Sequence, residues 1–135
     1  LASARFSPIE KLTVGGGSIA AGIVDADDHL HIALLSTRDG ALESSFPTGL
    51  SSRTQIALSP DGAQVYACSH ELGVAFTRFS RAGSRLQTLT RPAINLGEMT
   101  YCHVTAVSSG ALVVWANREG GYVEWARLGC ASAAP

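Results

Sequence analysis

The chain has 135 residues, of which 46% are hydrophobic and only 16% charged, and its net charge is −1. This length suits one domain with a hydrophobic core, and the near-neutral charge excludes a phosphate-backbone footprint for nucleic acid. No apolar run approaches the roughly 20 residues that a membrane-spanning helix needs. Because charge is sparse for a small domain, we expect other protein to cover part of the surface.

The first segment, 1–18, is predicted to be an edge strand followed by a joint. It lacks an initiator methionine and a signal-peptide core, so we expect it to lie within a longer gene product. Residues 4–14 are extended in character, and Pro8 excludes them from the middle of a sheet. The run Gly15-Gly16-Gly17-Ser18 is interpreted as a flexible linker.

The clearest local pattern lies in the middle of the chain, around Ser59-Pro60-Asp61-Gly62. Pro60 presets the backbone of a turn, and Gly62 tolerates the left-handed conformation that a tight reversal needs. Extended runs flank this turn, and a second break at Gly73 precedes a third run. The pattern predicts a three-stranded antiparallel meander.

Similar units precede and follow this meander. Gly40, Gly73 and Gly121 each follow a small polar residue by four positions, at Ser36, Ser69 and Asn117. This spacing predicts three units, at about 19–50, 51–96 and 97–128, before a loose tail at 129–135. Residues 84–90 are predicted to be an outer strand of the second unit, and the outer strand of the first unit is expected to be short or missing. Helical periodicity is absent, so the predicted fold is all-β.

Two stretches carry a resemblance to a known family. Leu58-Ser59-Pro60-Asp61-Gly62-Ala63-Gln64-Val65-Tyr66-Ala67 resembles the blades of YVTN and lactonase-type (6-phosphogluconolactonase-like) β-propellers. Val114-Trp115-Ala116-Asn117-Arg118-Glu119-Gly120-Gly121 resembles the Asn-Arg loop that follows in those blades. The resemblance implies a fold and leaves activity open, because such blades serve binders, scaffolds and enzymes alike.

The number of predicted units limits the possible architecture. Closed propellers have about four to eight blades, whereas this chain supplies about three. We therefore expect a partial β-propeller, completed either by missing sequence or by other subunits.

The cysteines, Cys68, Cys102 and Cys130, have no C-x-x-C spacing and are odd in number, which argues against a zinc site or a disulfide framework. They are interpreted as packed or free thiols. The alternative is a Cys68–Cys102 bridge between neighbouring units, which would point to an oxidising, extracytoplasmic compartment.

One acidic stretch suggests a cation site, with Asp25, Asp27, Asp28 and His29 as candidate ligands. An EF-hand loop would need glycine at its sixth position and glutamate at its twelfth, where this chain has Leu30 and Ser36. The favoured interpretation is a polar hairpin turn, with a metal as the alternative.

Charged loop residues form the other candidate site. If the repeats align as above, they gather at one rim of the propeller. The favoured interpretation is solvated charges at hairpin ends, and the alternative is a site that binds a small carboxylate or lactone. The predicted ligand-binding residues are Arg38, Asp39, Arg53, His70, Glu71, Glu98, Arg118 and Glu119. In an enzyme the first candidates for catalysis would be His70, Glu71, Arg118 and Glu119, whose residue types resemble those that lactonase-like relatives use. No cofactor motif is present.

The aromatic residues alternate with small ones, as sheet-packing positions do. They are predicted to form core, with a carbohydrate-stacking platform as the alternative: Tyr66, Phe76, Phe79, Trp115 and Trp125. The predicted function is a non-catalytic interaction or structural module, a β-propeller segment within a larger assembly of protein subunits such as a virion or a multimeric complex. A lactonase-like enzyme and a multimeric carbohydrate-binding propeller are the alternatives.

Overall fold

The structure is a computed structural model that describes residues 9–70, 73–92, 99–117 and 122–129. These residues form eleven strands. The strands are β1 (Ile9–Gly15), β2 (Ser18–Val24), β3 (His29–Ser36), β4 (Leu42–Ser51), β5 (Gln55–Leu58), β6 (Gln64–His70), β7 (Gly73–Ser80), β8 (Arg85–Pro92), β9 (Met99–Val107), β10 (Gly110–Asn117) and β11 (Tyr122–Gly129).

The strands form three separate antiparallel sheets, each a meander in chain order. Sheet 1 contains β1 to β4, sheet 2 contains β5 to β8, and sheet 3 contains β9 to β11. Hairpins of this kind need only short turns between neighbouring strands. The prediction of an all-β chain with three antiparallel units is confirmed, and the arrangement is compatible with partial propeller blades.

The first unit begins earlier than predicted. β1 pairs with β2, and Gly15 lies opposite Ser18 in that pairing. Gly16 and Gly17, with φ of +54° and +78°, form the two-residue turn between the strands. The glycine run is therefore a tight hairpin turn and not a flexible linker, and sheet 1 spans 9–51.

The repeat alignment of the first unit was also shifted by one strand. β1 packs against β5, and β5 packs against β9, so these three strands occupy equivalent places in their sheets. Gly40 then lies in the turn after a third strand, whereas Gly73 begins a third strand. Gly121 lies outside the described residues. The outer strand of the first unit, expected to be short or missing, is the ten-residue β4.

The core consists of two apolar layers, one on each face of sheet 2. Alternate residues of β6 point to opposite faces, as the two-residue period of a strand requires. The layer between sheets 1 and 2 contains Ala20, Val24, Leu30, Ile32, Leu34, Phe46, Ile56, Leu58, Val65, Ala67 and Phe79. The layer between sheets 2 and 3 contains Ala57, Tyr66, Cys68, Val74, Phe76, Cys102, Val104, Ala111, Val113 and Trp115.

A disulfide joins Cys68 of β6 to Cys102 of β9, and both residues are buried. The interpretation of these two residues as free thiols was wrong, and the alternative bridge is the one that the structure contains. Cys130 lies outside the described residues. The bridge connects sheet 2 to sheet 3 within their shared apolar layer.

Sheets 1 and 2 are joined by polar contacts at the end where the β1–β2 turn lies. Arg81, in the turn between β7 and β8, donates to the carbonyl oxygen of Gly62 at 2.8 Å and to Ser18 Oγ at 2.9 Å. Its guanidinium also pairs with the Glu43 carboxylate. The β1–β2 turn lies directly against the β5–β6 turn, because a Cβ on Gly16 would come within 2.2 Å of the Asp61 backbone.

This close approach predicts a cost for Gly16→Ala. The methyl group would meet the Asp61 backbone, which cannot rotate away as a side chain could, and the left-handed φ adds about 1–2 kcal/mol. Gly17→Ala is the matched control, since its φ is also positive but a Cβ there has no atom within 4 Å. Urea unfolding should show a larger loss of stability for Gly16→Ala. Equal losses would mean that the two turns are not in contact.

Candidate functional site

The predicted rim of charged residues is divided between the two ends of the sheets. Arg38 and Asp39 lie in the β3–β4 turn, at the same end as the β1–β2 turn, where the Thr37 amide donates to Gly17. His70 is the last residue of β6, at the opposite end. The prediction that these loops share one rim was wrong, because it depended on the shifted alignment of the first unit.

The remaining candidates are at the second end or outside the described residues. Arg53 is exposed in the β4–β5 connection, which lies at the same end as His70. The other predicted ligands, Glu71, Glu98, Arg118 and Glu119, lie outside the described residues. Of the predicted ligands that the structure describes, Arg38 and Asp39 thus lie at one end of the sheets, and Arg53 and His70 lie at the other.

The acidic stretch is a hydrogen-bonded hairpin loop between β2 and β3. Asp25 Oδ1 accepts hydrogen bonds from the amides of Asp27 and His29, both at 2.9 Å. Asp25 Oδ2 lies 3.0 Å from His31 Nε2. The His29 amide bond, together with the His31 and Asp27 bonds, holds the pKa of the Asp25 carboxyl below its usual value. Asp28 takes the left-handed φ of +66° that the turn needs.

The candidate cation ligands partly converge in this loop. One ligand atom each from Asp25, Asp27 and His29 lies within 4.8 Å of the other two. Hydrogen bonds within the hairpin already account for the orientation of Asp25, and such loops adopt this geometry without a metal. The loop borders an open cleft of about 330 Å³ whose described lining is Asp27, Asp28, His29, Gly49, Leu50, Ser51 and Ser69.

The loop predicts a pH-dependent contribution of Asp25 to stability. Because the pKa of Asp25 is lower in the folded chain, its contribution is present above the unfolded pKa of about 4 and is lost as pH falls through the folded value. The thermal midpoints of wild type and Asp25→Asn should therefore differ at pH 6 and converge towards pH 2. Asp27→Asn, which removes the same charge from the same loop, should show a smaller difference. A difference that is constant with pH would contradict the assignment.

Large apolar side chains are exposed on the outer faces of the two end sheets, sheets 1 and 3. In sheet 1, Leu12 pairs with Ala21 and Val14 pairs with Ile19, so these side chains share the face that points away from sheet 2. Leu12, Val14 and Leu42 on this face are 66%, 67% and 62% exposed. We call this surface the first open face: Leu12, Val14, Ile19, Ile23, Leu35 and Leu42.

Sheet 3 has a corresponding surface. Trp125 pairs with Val114, and Val114 with His103, on the side away from sheet 2. Tyr101, Val123 and Trp125 are 73%, 65% and 68% exposed. We call this surface the second open face: Tyr101, His103, Leu112, Val114, Val123, Trp125 and Arg127.

The aromatic residues separate into two groups. Tyr66, Phe76, Phe79 and Trp115 are buried between sheets, as predicted. The prediction of a core position was wrong for Trp125, because β11 belongs to an end sheet and Trp125 points to its uncovered side. The strands of the two end sheets have apolar residues at both odd and even positions, and this pattern is the sequence signal for apolar side chains on both faces.

Among the described segments, none is a helix long and apolar enough to cross a membrane. No protein-family model matches the chain, and no curated protein is similar to it in sequence.

Proposed function

We propose that the chain is a structural interaction module, a β-propeller segment whose two open faces dock further antiparallel sheets of a larger assembly. The most direct support is the packing of sheet 2, which has an apolar layer and a neighbouring sheet on each of its two faces. Sheets 1 and 3 also have apolar residues on both faces, like sheet 2. In the described part of the chain, however, each of them packs against another sheet through one face.

The energetics favour docking at these faces. Leu12, Val14 and Leu42 are more than half exposed, and full burial of such a side chain is worth about 1.5–3 kcal/mol. Contiguous apolar patches of this kind mark interaction surfaces in proteins. The low proportion of charged residues in the chain, 16%, agrees with a surface that is partly covered.

The disulfide bears on where such an assembly would form. Bridges like Cys68–Cys102 persist in oxidising environments and are rare where cellular reductants act. We therefore place the module in an extracytoplasmic, oxidising compartment as part of the proposal.

A carbohydrate-binding surface is the second candidate function. The exposed rings of Trp125 and Tyr101 share the second open face, and aromatic rings at such a surface could stack on the apolar faces of sugars. Titration with oligosaccharides, followed by tryptophan fluorescence, would test it. A saturable change that Trp125→Ala abolishes would favour this candidate over docking of a sheet.

Charge substitutions test the docking proposal. An apolar fluorescent dye should bind the free faces, or the chain should self-associate and cover them. Val14→Asp and Trp125→Asp should weaken whichever of these occurs, while circular dichroism shows that both variants keep the β-sheet fold, because both side chains are exposed in the single chain. If neither dye binding nor association responds to the substitutions, the faces are not docking surfaces and the proposal is wrong.

A further inference from the structure

We propose that the two open faces bind each other in two copies of this chain. Sheet 3 of each copy packs against sheet 1 of the other, and six sheets close a ring. This inference rests on the proposed function, since it names the partner that covers the faces.

The first argument is the polarity of the sheet junctions. We call the face of a sheet that points to the next sheet along the chain its leading face, and the face that points to the preceding sheet its trailing face. Each junction inside the chain packs the leading face of one sheet against the trailing face of the next. Ile32 of sheet 1 thus faces Val65 of sheet 2, and Tyr66, on the other side of sheet 2, faces Val113 of sheet 3. The first open face is a trailing face and the second is a leading face. The two uncovered faces are therefore of the two kinds that pack together within the chain.

The second argument is the chemistry of the faces. At the junction of sheets 2 and 3, the leading face presents an aromatic pair, Tyr66 and Phe76, with ring centroids 5.9 Å apart. The trailing face opposite contains Val104, Ala111 and Val113, together with Cys102 and Trp115. The second open face likewise presents aromatic rings, and the first open face consists of leucine, isoleucine and valine. Contact between them would place the aromatic rings of a leading face on aliphatic side chains of a trailing face, and Tyr66 and Phe76 share an apolar layer with Val104 and Val113 in the same way.

The third argument is arithmetic. Propeller rings close with about four to eight blades, and the described residues of one chain form three sheets. Two copies supply six, whereas three copies would supply nine. In a ring of two copies the same junction occurs twice, which a two-fold axis allows, because each copy offers both faces.

Two variants with one blocked face each test the inference. Leu12→Asp/Val14→Asp blocks the first open face, and Val123→Asp/Trp125→Asp blocks the second. All proteins carry Cys130→Ser, so that no intermolecular disulfide forms through that thiol. Mass is measured by light scattering. Wild type should have about 28 kDa, twice the 14.0 kDa of one chain, and each blocked variant alone should have half that mass.

An equimolar mixture of the blocked variants should regain the double mass, because the intact first face of one can bind the intact second face of the other. Leu86→Asp, a charge on an exposed position of β8 outside both faces, should remain dimeric. If an aspartate variant fails to fold, Val14→Thr and Trp125→Thr give the same comparison, since threonine suits a strand.

Three results would overturn the inference. A blocked variant that dimerises alone would show pairing of like faces. Species larger than a dimer would show a chain that does not close. A monomeric wild type would show that the faces do not bind each other. If that monomer still binds the apolar dye through residues Val14 and Trp125, docking of another protein's sheets survives as the function and only the self-pairing is wrong.

Discussion

Loss of the Cys68–Cys102 bridge is expected to lower the free energy of unfolding by about 3–4 kcal/mol, because the bridge restricts the unfolded chain. The two cysteines are 34 residues apart, so the bond closes a long loop. It also connects sheets 2 and 3 inside their shared apolar layer, where both residues are buried. A destabilisation of this size is a large part of the total stability of a small domain.

Urea unfolding of the Cys68→Ala/Cys102→Ala variant would measure the loss. Reduced wild type provides a second measurement, because reduction removes the bond without deleting the sulfur atoms. Cys130→Ser is the matched control, since it removes one thiol and leaves the bridge in place. If the reduced and oxidised proteins unfolded at the same urea concentration, the bond would have no constraining role and the two sheets would be held by packing alone.

Features that depend on neighbouring residues could be predicted from the sequence. The Ser59-Pro60-Asp61-Gly62 turn is an example: the Gly62 amide donates to the Ser59 carbonyl oxygen at 2.8 Å, and Gly62 has a φ of +71°. Asp61 Oδ1 accepts from Ser59 Oγ and from the Ala63 amide. All of these contacts lie within five residues, so the residue types alone were sufficient to predict the turn and the two strands beside it.

The alignment of the first unit could not be predicted in that way. Short strands separated by glycine-containing turns look the same when the pattern is shifted by one strand. The correct alignment depends on the packing of β1 against β5, which joins residues more than forty positions apart. The same shift placed Arg38 and Asp39 at the wrong end of the sheets, so the error in the candidate site follows from the error in the fold.

The open faces were likewise predictable from the sequence only in part. Sparse charge led to the expectation that other protein covers part of the surface, and the described residues do include large apolar side chains exposed on the outer faces of sheets 1 and 3. Which residues form that surface depends on the face to which each strand position points and on the place of its sheet in the stack. Trp115 and Trp125 have similar local sequence surroundings, yet only Trp115 points towards sheet 2.

The second large effect is expected at Phe79. It is buried between sheets 1 and 2, where its ring centroid lies 5.8 Å from that of Phe46. The Phe46 ring also packs closely on the backbone of Gly83, since a Cβ on Gly83 would come within 2.5 Å of it. Phe79→Ala should therefore leave a cavity and lower the free energy of unfolding by about 3–5 kcal/mol.

Phe76→Ala, on the opposite face of sheet 2, is the informative comparison for Phe79→Ala, because it removes the same side chain from the other apolar layer. If the sheets unfold together, both variants should give one urea transition at a lower midpoint. If each junction unfolds separately, Phe79→Ala should release sheet 1 and leave Trp115 in its native environment.

Leu86→Ala, on an exposed position, should change stability by less than about 0.5 kcal/mol. A loss for Phe79→Ala as small as that would contradict the packing of sheet 1 on sheet 2, on which the assignment of leading and trailing faces depends.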